Sequence, residues 1–202
     1  MKRVRTLAVT VLSAAVIAGG VSLSTATSAA ADDISGSVAQ TTEEDSYTSK
    51  AEDGGETADI QNADDLTSEQ TDNARTIIGV GKGADLSKQA QKIAVMTALQ
   101  ESSLRNLDGG DKDSSGLFQQ RPSMGWGTVE QVTDPVYASQ SFYGVNPDSP
   151  NPGLTQIDGW KDMEPGDAAQ AVQGSAFPDE YAKWEPVAAD LVNDNQDVDD
   201  ID

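Results

Sequence analysis

The chain has 202 residues, with 13 lysines and arginines against 34 aspartates and glutamates, a formal net charge of −21, and neither cysteine nor histidine. These counts exclude cysteine nucleophiles, disulfide bonds, zinc sites built from Cys and His, and any Ser-His-Asp triad. The negative charge also argues against binding to nucleic acid, which requires a basic surface. Catalysis in this chain therefore has to use carboxylates, hydroxyls, amides, lysines or arginines.

Residues 1–31 have the pattern of a secretory signal peptide. Three basic residues within the first five precede an apolar run from Leu7 to Val21, and alanines occupy positions 29–31. A basic start, an apolar middle and small residues at the end are the three parts of such a peptide. We therefore expect a secreted protein whose mature form has no transmembrane anchor.

Both ends of the remaining chain are acidic. Residues 32–72 contain 13 acidic residues and one basic residue, Lys50, among small polar residues. Such a segment cannot bury enough apolar surface to offset its ordering entropy, so we predict a disordered acidic leader. Residues 193–202 contain five aspartates, which predicts a short solvated tail. Residues 73–192 remain as a single predicted domain.

Helical signals dominate the predicted domain. A capping-box pattern at residues 67–70 precedes apolar residues at helical spacing and predicts a first helix that ends near Gly83. Ser87 caps a second helix, whose uncharged middle at residues 93–99 indicates that it is buried. Pro186 is expected to kink or divide the last helix. Further helix starts are predicted at Thr128, Asp134 and Pro178.

Glu101 is the first candidate for catalysis. It continues the stripe of small and apolar residues on the second helix, so its carboxylate should lie where a buried helix ends. Desolvation there disfavours the ionised carboxylate, which is the tuning that a general acid needs. The alternative is a glutamate at a frayed helix end that points into water.

The segment from Ala98 to Pro122 carries a resemblance to a known family. It reads Ala-Leu-Gln-Glu-Ser, then a loop rich in glycine and aspartate, and then Gly-Leu-Phe-Gln-Gln-Arg-Pro. This pattern resembles the soluble lytic transglycosylases and goose-type lysozymes, in particular their secreted single-domain members from actinobacteria. The likeness continues in shorter motifs as far as Glu185 and covers most of residues 73–192.

The resemblance implies a mainly α, lysozyme-like (α+β) domain, with a helical lobe and a small β-hairpin. It also implies a single catalytic acid at Glu101, and sugar-cleft positions at Ser115, Gly116 and Gln119. The site tyrosine of the broader family is replaced here by Val172. A phenol can come instead from one of three other tyrosines, at positions 137, 143 and 181.

The chemistry of glycosidic bonds leaves two routes open. The bond breaks through a cation-like transition state that needs a proton on the leaving oxygen, and Glu101 can donate it. In a transglycosylase route the same carboxylate then accepts the proton of the muramyl 6-hydroxyl group. A hydrolytic route needs a second carboxylate, for which Asp111 and Asp113 are candidates, although their run is also an ordinary turn sequence. Trp126, between two glycines, can stack on a sugar or lie in the core.

From these features we predict a secreted, cell-wall-associated enzyme that cleaves the glycan strands of peptidoglycan. We expect no metal ion and no other cofactor, because Pro122 occupies the position at which a calcium loop beginning at Asp111 would place its bidentate glutamate. The alternative is a non-catalytic module of the same fold that binds cell-wall glycans or other cell-wall proteins.

Overall fold

The structure is a computed structural model that describes residues 60–174 and 179–202, all within one compact unit of the chain. The predicted signal peptide (1–31), residues 32–59 of the predicted leader, and the helix start predicted at Pro178 lie outside the described residues. No helix in the described part is long and apolar enough to cross a membrane.

The described residues are mainly α-helical, as predicted. Their helices are α1 (Ser68–Gly83), α2 (Lys88–Ser102), α3 (Val129–Val132), α4 (Pro135–Tyr143), α5 (Pro165–Gln173), α6 (Asp179–Ala182) and α7 (Glu185–Asp194). Single 3-10 turns occur at Ala63–Asp65, Pro122–Met124, Leu154–Gln156 and Trp160–Asp162.

The predicted β-hairpin is not found among these residues. The described ranges contain no strand, and they contain one isolated antiparallel bridge, between Ser115 and Gln120. Between the bridged residues the backbone turns through positive φ at Gly116 (77°) and Gln119 (47°). The chain therefore closes within a few residues, which leaves only a single bridge instead of a ladder.

Helix α2 forms the centre of the fold. Residues 93–99 are fully buried, as their lack of charge predicted, and α2 packs against α1, α4, α5, α6 and α7. Its start is fixed by Ser87, whose side chain accepts a hydrogen bond from the backbone N–H of Ala90. The middle of α2 is thus enclosed by the other helices, and its last turn leads into the loop that follows Ser102.

The other helix boundaries follow local signals in the sequence. Thr67 and Thr128 each form a capping box with the glutamine three residues later, at the starts of α1 and α3. Asp134 caps α4 by accepting hydrogen bonds from two backbone N–H groups, each at 2.9 Å. Pro186 lies in the first turn of α7 and so separates α6 from α7, as predicted.

The ordered domain begins earlier than residue 73. Ile60 is buried, Leu66 packs against the core, and α1 begins at Ser68, although all three fall in the predicted leader. The prediction of disorder to residue 72 is therefore corrected for residues 60–72. A few apolar side chains reach the core from a segment whose composition is otherwise acidic and polar.

The last residues of the chain lie against α1. We call residues 195–202 the C-terminal cover. The backbone N–H of Ile201 donates to the carbonyl of Gly79 at 3.0 Å, and Lys82 Nζ donates to the carbonyl of Val198. Val198 is buried and the Ile201 side chain packs against the core. Backbone atoms and two apolar side chains thus make these contacts, and polar side chains of the segment add hydrogen bonds and ion pairs to them.

The prediction of a solvated tail from residue 193 is therefore corrected as well. Asp197 and Asp200 lie at the surface and form ion pairs of 3.3 Å with Arg75 and Lys82 of α1. The hydrogen bond and charge of Arg75 lower the pKa of Asp197. The aspartates of this segment are compatible with packing because they stay exposed at its rim, where water solvates them and two of them pair with basic side chains.

Candidate active-site cleft

Glu101 lies in the last turn of α2, directly before the helix ends. The helix is terminated by Ser103 and Leu104, which both have positive φ (53° and 59°), and the N–H of Leu104 returns to the carbonyl of Ala98 at 3.1 Å. The Ser102 hydroxyl donates to the carbonyl of Leu117 at 2.8 Å. This bond ties the end of α2 to the following loop, so the position of Glu101 is fixed from both sides.

The half-buried Glu101 side chain opens into a cleft of about 540 Å³. Polar residues predominate in its lining, which consists of Glu101, Asp111, Ser114, Gln119, Gln120, Arg121, Met124, Trp126, Gln173 and Gly174. Three of the predicted site residues, Glu101, Gln119 and Trp126, are thus brought together with Asp111, one of the two candidate second carboxylates.

Tyr181 provides a phenol at the carboxylate. Its hydroxyl donates a hydrogen bond to Glu101 Oε1 at 2.6 Å, and the tyrosine is 1% exposed. Gln100, the residue before Glu101, is held in a similar way. Its Oε1 accepts a hydrogen bond of 2.8 Å from Trp184 Nε1. The end of α2 is therefore held by one side chain from α6 and one from the residues between α6 and α7.

The other two tyrosines have different surroundings. Tyr143 is fully buried, its hydroxyl donates to the carbonyl of Ile77 at 3.1 Å, and burial raises its pKa far above the usual range. Tyr137 lies beside Gly127 and does not line the cleft. Of the three tyrosines considered from the sequence, Tyr181 is the one in contact with Glu101.

Val172 is buried, and it is its neighbour Gln173 that faces the cleft. Gln173 Nε2 donates to the carbonyl of Phe118 at 2.7 Å, which joins the end of α5 to the loop after Gly116. Position 172 therefore places an apolar side chain in the core, and the amide of residue 173 lies in the cleft wall.

Of the loop positions that the sequence motif predicted, one lines the cleft and the other two support the loop behind it. Gln119 lines the cleft, whereas Ser115 is buried and its hydroxyl donates to the carbonyl of Asp108 at 3.2 Å. Gly116 supports the turn, because its φ of 77° favours glycine and a Cβ atom would lie 1.9 Å from the carbonyl oxygen of Val132. Ser114, one residue before the predicted serine, is the serine that lines the cleft.

The two candidate second carboxylates have different roles in one loop. Asp113 accepts hydrogen bonds of 2.7 Å from the Ser123 backbone N–H and from Arg121 Nε. The Ser123 N–H, then the Ser123 hydroxyl and Arg121, hold the pKa of Asp113 well below its usual range. Asp113 does not line the cleft, and its contacts fix the loop. Asp111 lines the cleft, but its side chain is 89% exposed.

Trp126 is half-buried, so it contributes both to the cleft wall and to the core. Met124 forms the neighbouring rim and is 59% exposed. The carbonyl of Met124 accepts a hydrogen bond of 3.0 Å from Asn151 Nδ2, and Asn151 belongs to the proline-rich segment at residues 145–159. That surface loop therefore braces the apolar rim of the cleft.

Several lining residues were not found from the sequence. They are Ser114, Gln120, Arg121, Met124, Gln173 and Gly174. Most of them lie next to residues that the motifs had marked as site residues. Proximity in sequence was therefore the one available signal, and it does not indicate which of two neighbouring side chains faces the cleft. No group of three or more acidic residues in the described ranges is arranged to hold a metal ion.

Comparison with known proteins adds no assignment. No protein-family model matches the sequence, and no curated protein matches it significantly.

Proposed function

We propose that this protein is a secreted enzyme that cleaves the glycan strands of peptidoglycan, with a lysozyme-like helical lobe and Glu101 as its catalytic acid. The observation that carries the proposal is the Glu101 carboxylate at the head of a polar cleft, with the Tyr181 hydroxyl bonded to Oε1. Since Oε1 accepts the hydrogen bond of the phenol, Oε2 is the oxygen left to carry a proton and present it to the substrate.

The cleft walls suit an uncharged carbohydrate. The side-chain amides of Gln119 and Gln173 offer donors and acceptors of the kind that pair with sugar hydroxyl and N-acetyl groups. Trp126 and Met124 supply an apolar surface for the face of a sugar ring. The guanidinium of Arg121 is paired with Asp113, so it provides little free positive charge to attract an anionic ligand.

A route that needs one carboxylate is the better fit to these residues. Glu101 donates its proton to the glycosidic oxygen as the bond from that oxygen to C1 breaks. The ionised carboxylate then takes the proton of the muramyl 6-hydroxyl, and the 6-oxygen bonds to C1 to form an anhydro ring. The proton returns to Glu101 and no water is consumed. Asp113 is engaged with Arg121 and Ser123, and Asp111 is largely in solvent, so neither is needed in this route.

The test is the identity of the products from purified glycan strands incubated with the full chain. Mass spectrometry should show anhydromuramyl ends. Reducing ends would indicate hydrolysis and would point to Asp111 as the helper of a water molecule. The absence of both products, with retained binding to the strands, would replace the proposal by the non-catalytic wall-binding module.

A single substitution tests the role of Glu101 as the catalytic acid. Glu101→Gln keeps the shape of the side chain but removes the proton, so strand cleavage should fall by at least about 100-fold while the melting temperature stays nearly unchanged. Glu130→Gln, at an exposed position on α3, is the matched control and should cleave like the wild type. Cleavage by Glu101→Gln at the rate of this control would contradict the assignment.

A further inference from the structure

We propose that Gly110 is a positioning residue of the cleft. Because it has no side chain, it leaves open the space in which the Gln119 amide lies. The inference rests on the proposed function, in which Gln119 binds the sugar. A Cβ atom built on Gly110 would lie 1.8 Å from Gln119 Oε1 and 2.9 Å from Gln119 Cδ. The amide oxygen of Gln119 therefore occupies the space that any other side chain at position 110 would need.

The other side of the Gln119 amide is held by Gly116. The Gly116 carbonyl accepts hydrogen bonds from the backbone N–H of Gln119 at 3.3 Å and from its Nε2 at 3.1 Å. Because a carbonyl only accepts, this bond also sets the orientation of the amide, with Nε2 toward Gly116 and Oε1 toward Gly110. The amide is thus held between two glycines that are six residues apart in sequence.

This arrangement leaves a donor and an acceptor on the cleft wall. One N–H of Gln119 Nε2 is used by Gly116, and the second N–H and the oxygen Oε1 remain. An adjacent donor and acceptor are complementary to an acetamido group, whose N–H donates and whose carbonyl accepts. We therefore infer that Gly110 sets the affinity of the cleft for 2-acetamido sugars by fixing where this amide stands.

Gly109 provides a matched control. A Cβ atom at Gly109 meets nothing within 4 Å, and neither Gly109 nor Gly110 has a positive φ, so alanine is compatible with the backbone at both positions. The clash in Gly110→Ala is with the far end of a flexible side chain, which can move away. Both variants should therefore fold, and they differ in whether the Gln119 amide is displaced.

The experiment measures the dissociation constant of the full chain for the N-acetylglucosamine tetramer by titration calorimetry. We expect Gly110→Ala to bind about tenfold more weakly, the effect of losing one or two hydrogen bonds. Gly109→Ala should remain within about twofold of the wild type. In a chain that already carries Gln119→Ala, adding Gly110→Ala should have no further effect, because the interaction it disturbs is gone.

Two results would overturn the inference. One is equal affinity of Gly110→Ala and Gly109→Ala for the tetramer. The other is an equal loss of affinity from Gly110→Ala in the wild-type chain and in the Gln119→Ala chain. A second readout does not depend on the ligand. The side-chain amide signals of Gln119 in an NMR spectrum, identified by their absence in Gln119→Ala, should move in Gly110→Ala and stay in Gly109→Ala. Unmoved signals would refute the positioning role even if strands are cleaved, whereas a wild type that neither binds nor cleaves would refute the proposed function itself.

Discussion

The cleft and the C-terminal cover are both built from polar sequence, but they use it in opposite ways. The cleft keeps its polar side chains facing an open volume, and loop residues with positive φ, such as Ser103 and Gln119, hold them there. The C-terminal cover keeps its aspartates at the rim and joins α1 through backbone atoms, the apolar side chains of Val198 and Ile201, and two exposed ion pairs. Polar residues thus mark a site in one region and a solvated edge in the other.

Changes in the C-terminal cover should alter stability without altering chemistry, and changes at the cleft carboxylate should do the reverse. A variant that moved both properties together would show that the two regions are coupled through α1 and α2.

The largest stability effect is expected from removal of residues 196–202. The loss of the apolar contacts of Val198 and Ile201 should cost about 3 kcal/mol. The melting temperature should then fall by about 10 °C, measured by circular dichroism. The turnover of glycan strands, measured well below the transition, should stay within about twofold of the wild type.

The matched control keeps the apolar contacts and changes only charge. Asp197→Asn combined with Asp200→Asn breaks both exposed ion pairs with α1, and because exposed ion pairs contribute little, its melting temperature should fall by at most about 3 °C. A large drop in this control would mean that charge, and not the packing of Val198 and Ile201, attaches the C-terminal cover.

A smaller effect, on chemistry, is expected from Tyr181→Phe. Loss of the hydroxyl frees the Glu101 carboxylate to rotate, so kcat for strand cleavage should fall about tenfold while KM changes little. Tyr137→Phe is the matched control, because that tyrosine does not line the cleft. An unchanged kcat in Tyr181→Phe would mean that the phenol is not needed to orient Glu101.

The smallest effect is expected on stability, from Asp113 in the loop beside the cleft. The pKa of Asp113 is depressed in the folded chain, so its contribution to stability is present above its unfolded pKa of about 4 and is lost as the pH falls below that value. Asp113→Asn should therefore lower the melting temperature at pH 7, and the difference from the wild type should shrink toward pH 2.5. Asp111→Asn alters an exposed carboxylate of the same loop and should leave the melting temperature at pH 7 nearly unchanged, and equal behaviour of the two variants would contradict the role of Asp113.

Local signals in the sequence were sufficient for most of the helical framework and for the place of Glu101 at the end of a buried helix. The capping boxes at Thr67 and Thr128, the uncharged middle of α2 and the division of the last helix at Pro186 depend on residues a few positions apart, and the structure agrees with each of them. The position of Glu101 at the end of a buried helix followed from the same periodicity.

The remaining features depend on contacts that spacing does not encode. Whether Ser114 or Ser115 faces the cleft depends on a turn whose positive φ at Gly116 and Gln119 sets which side chain points outward. The C-terminal cover was missed because a count of aspartates gives no weight to two apolar residues among them. The sequence named three tyrosines as possible partners, and only the fold distinguishes Tyr181 from the others.

The bond between Tyr181 and Glu101 joins residues 80 positions apart. Closing a loop of that length requires a large loss of chain entropy, so this contact depends on packing by the helices between them. A ribosome makes Glu101 long before it makes Tyr181. A chain that stops short of residue 181 therefore has the acid without its phenol, and the order of synthesis alone keeps the proposed site incomplete until Tyr181 has been made and has docked.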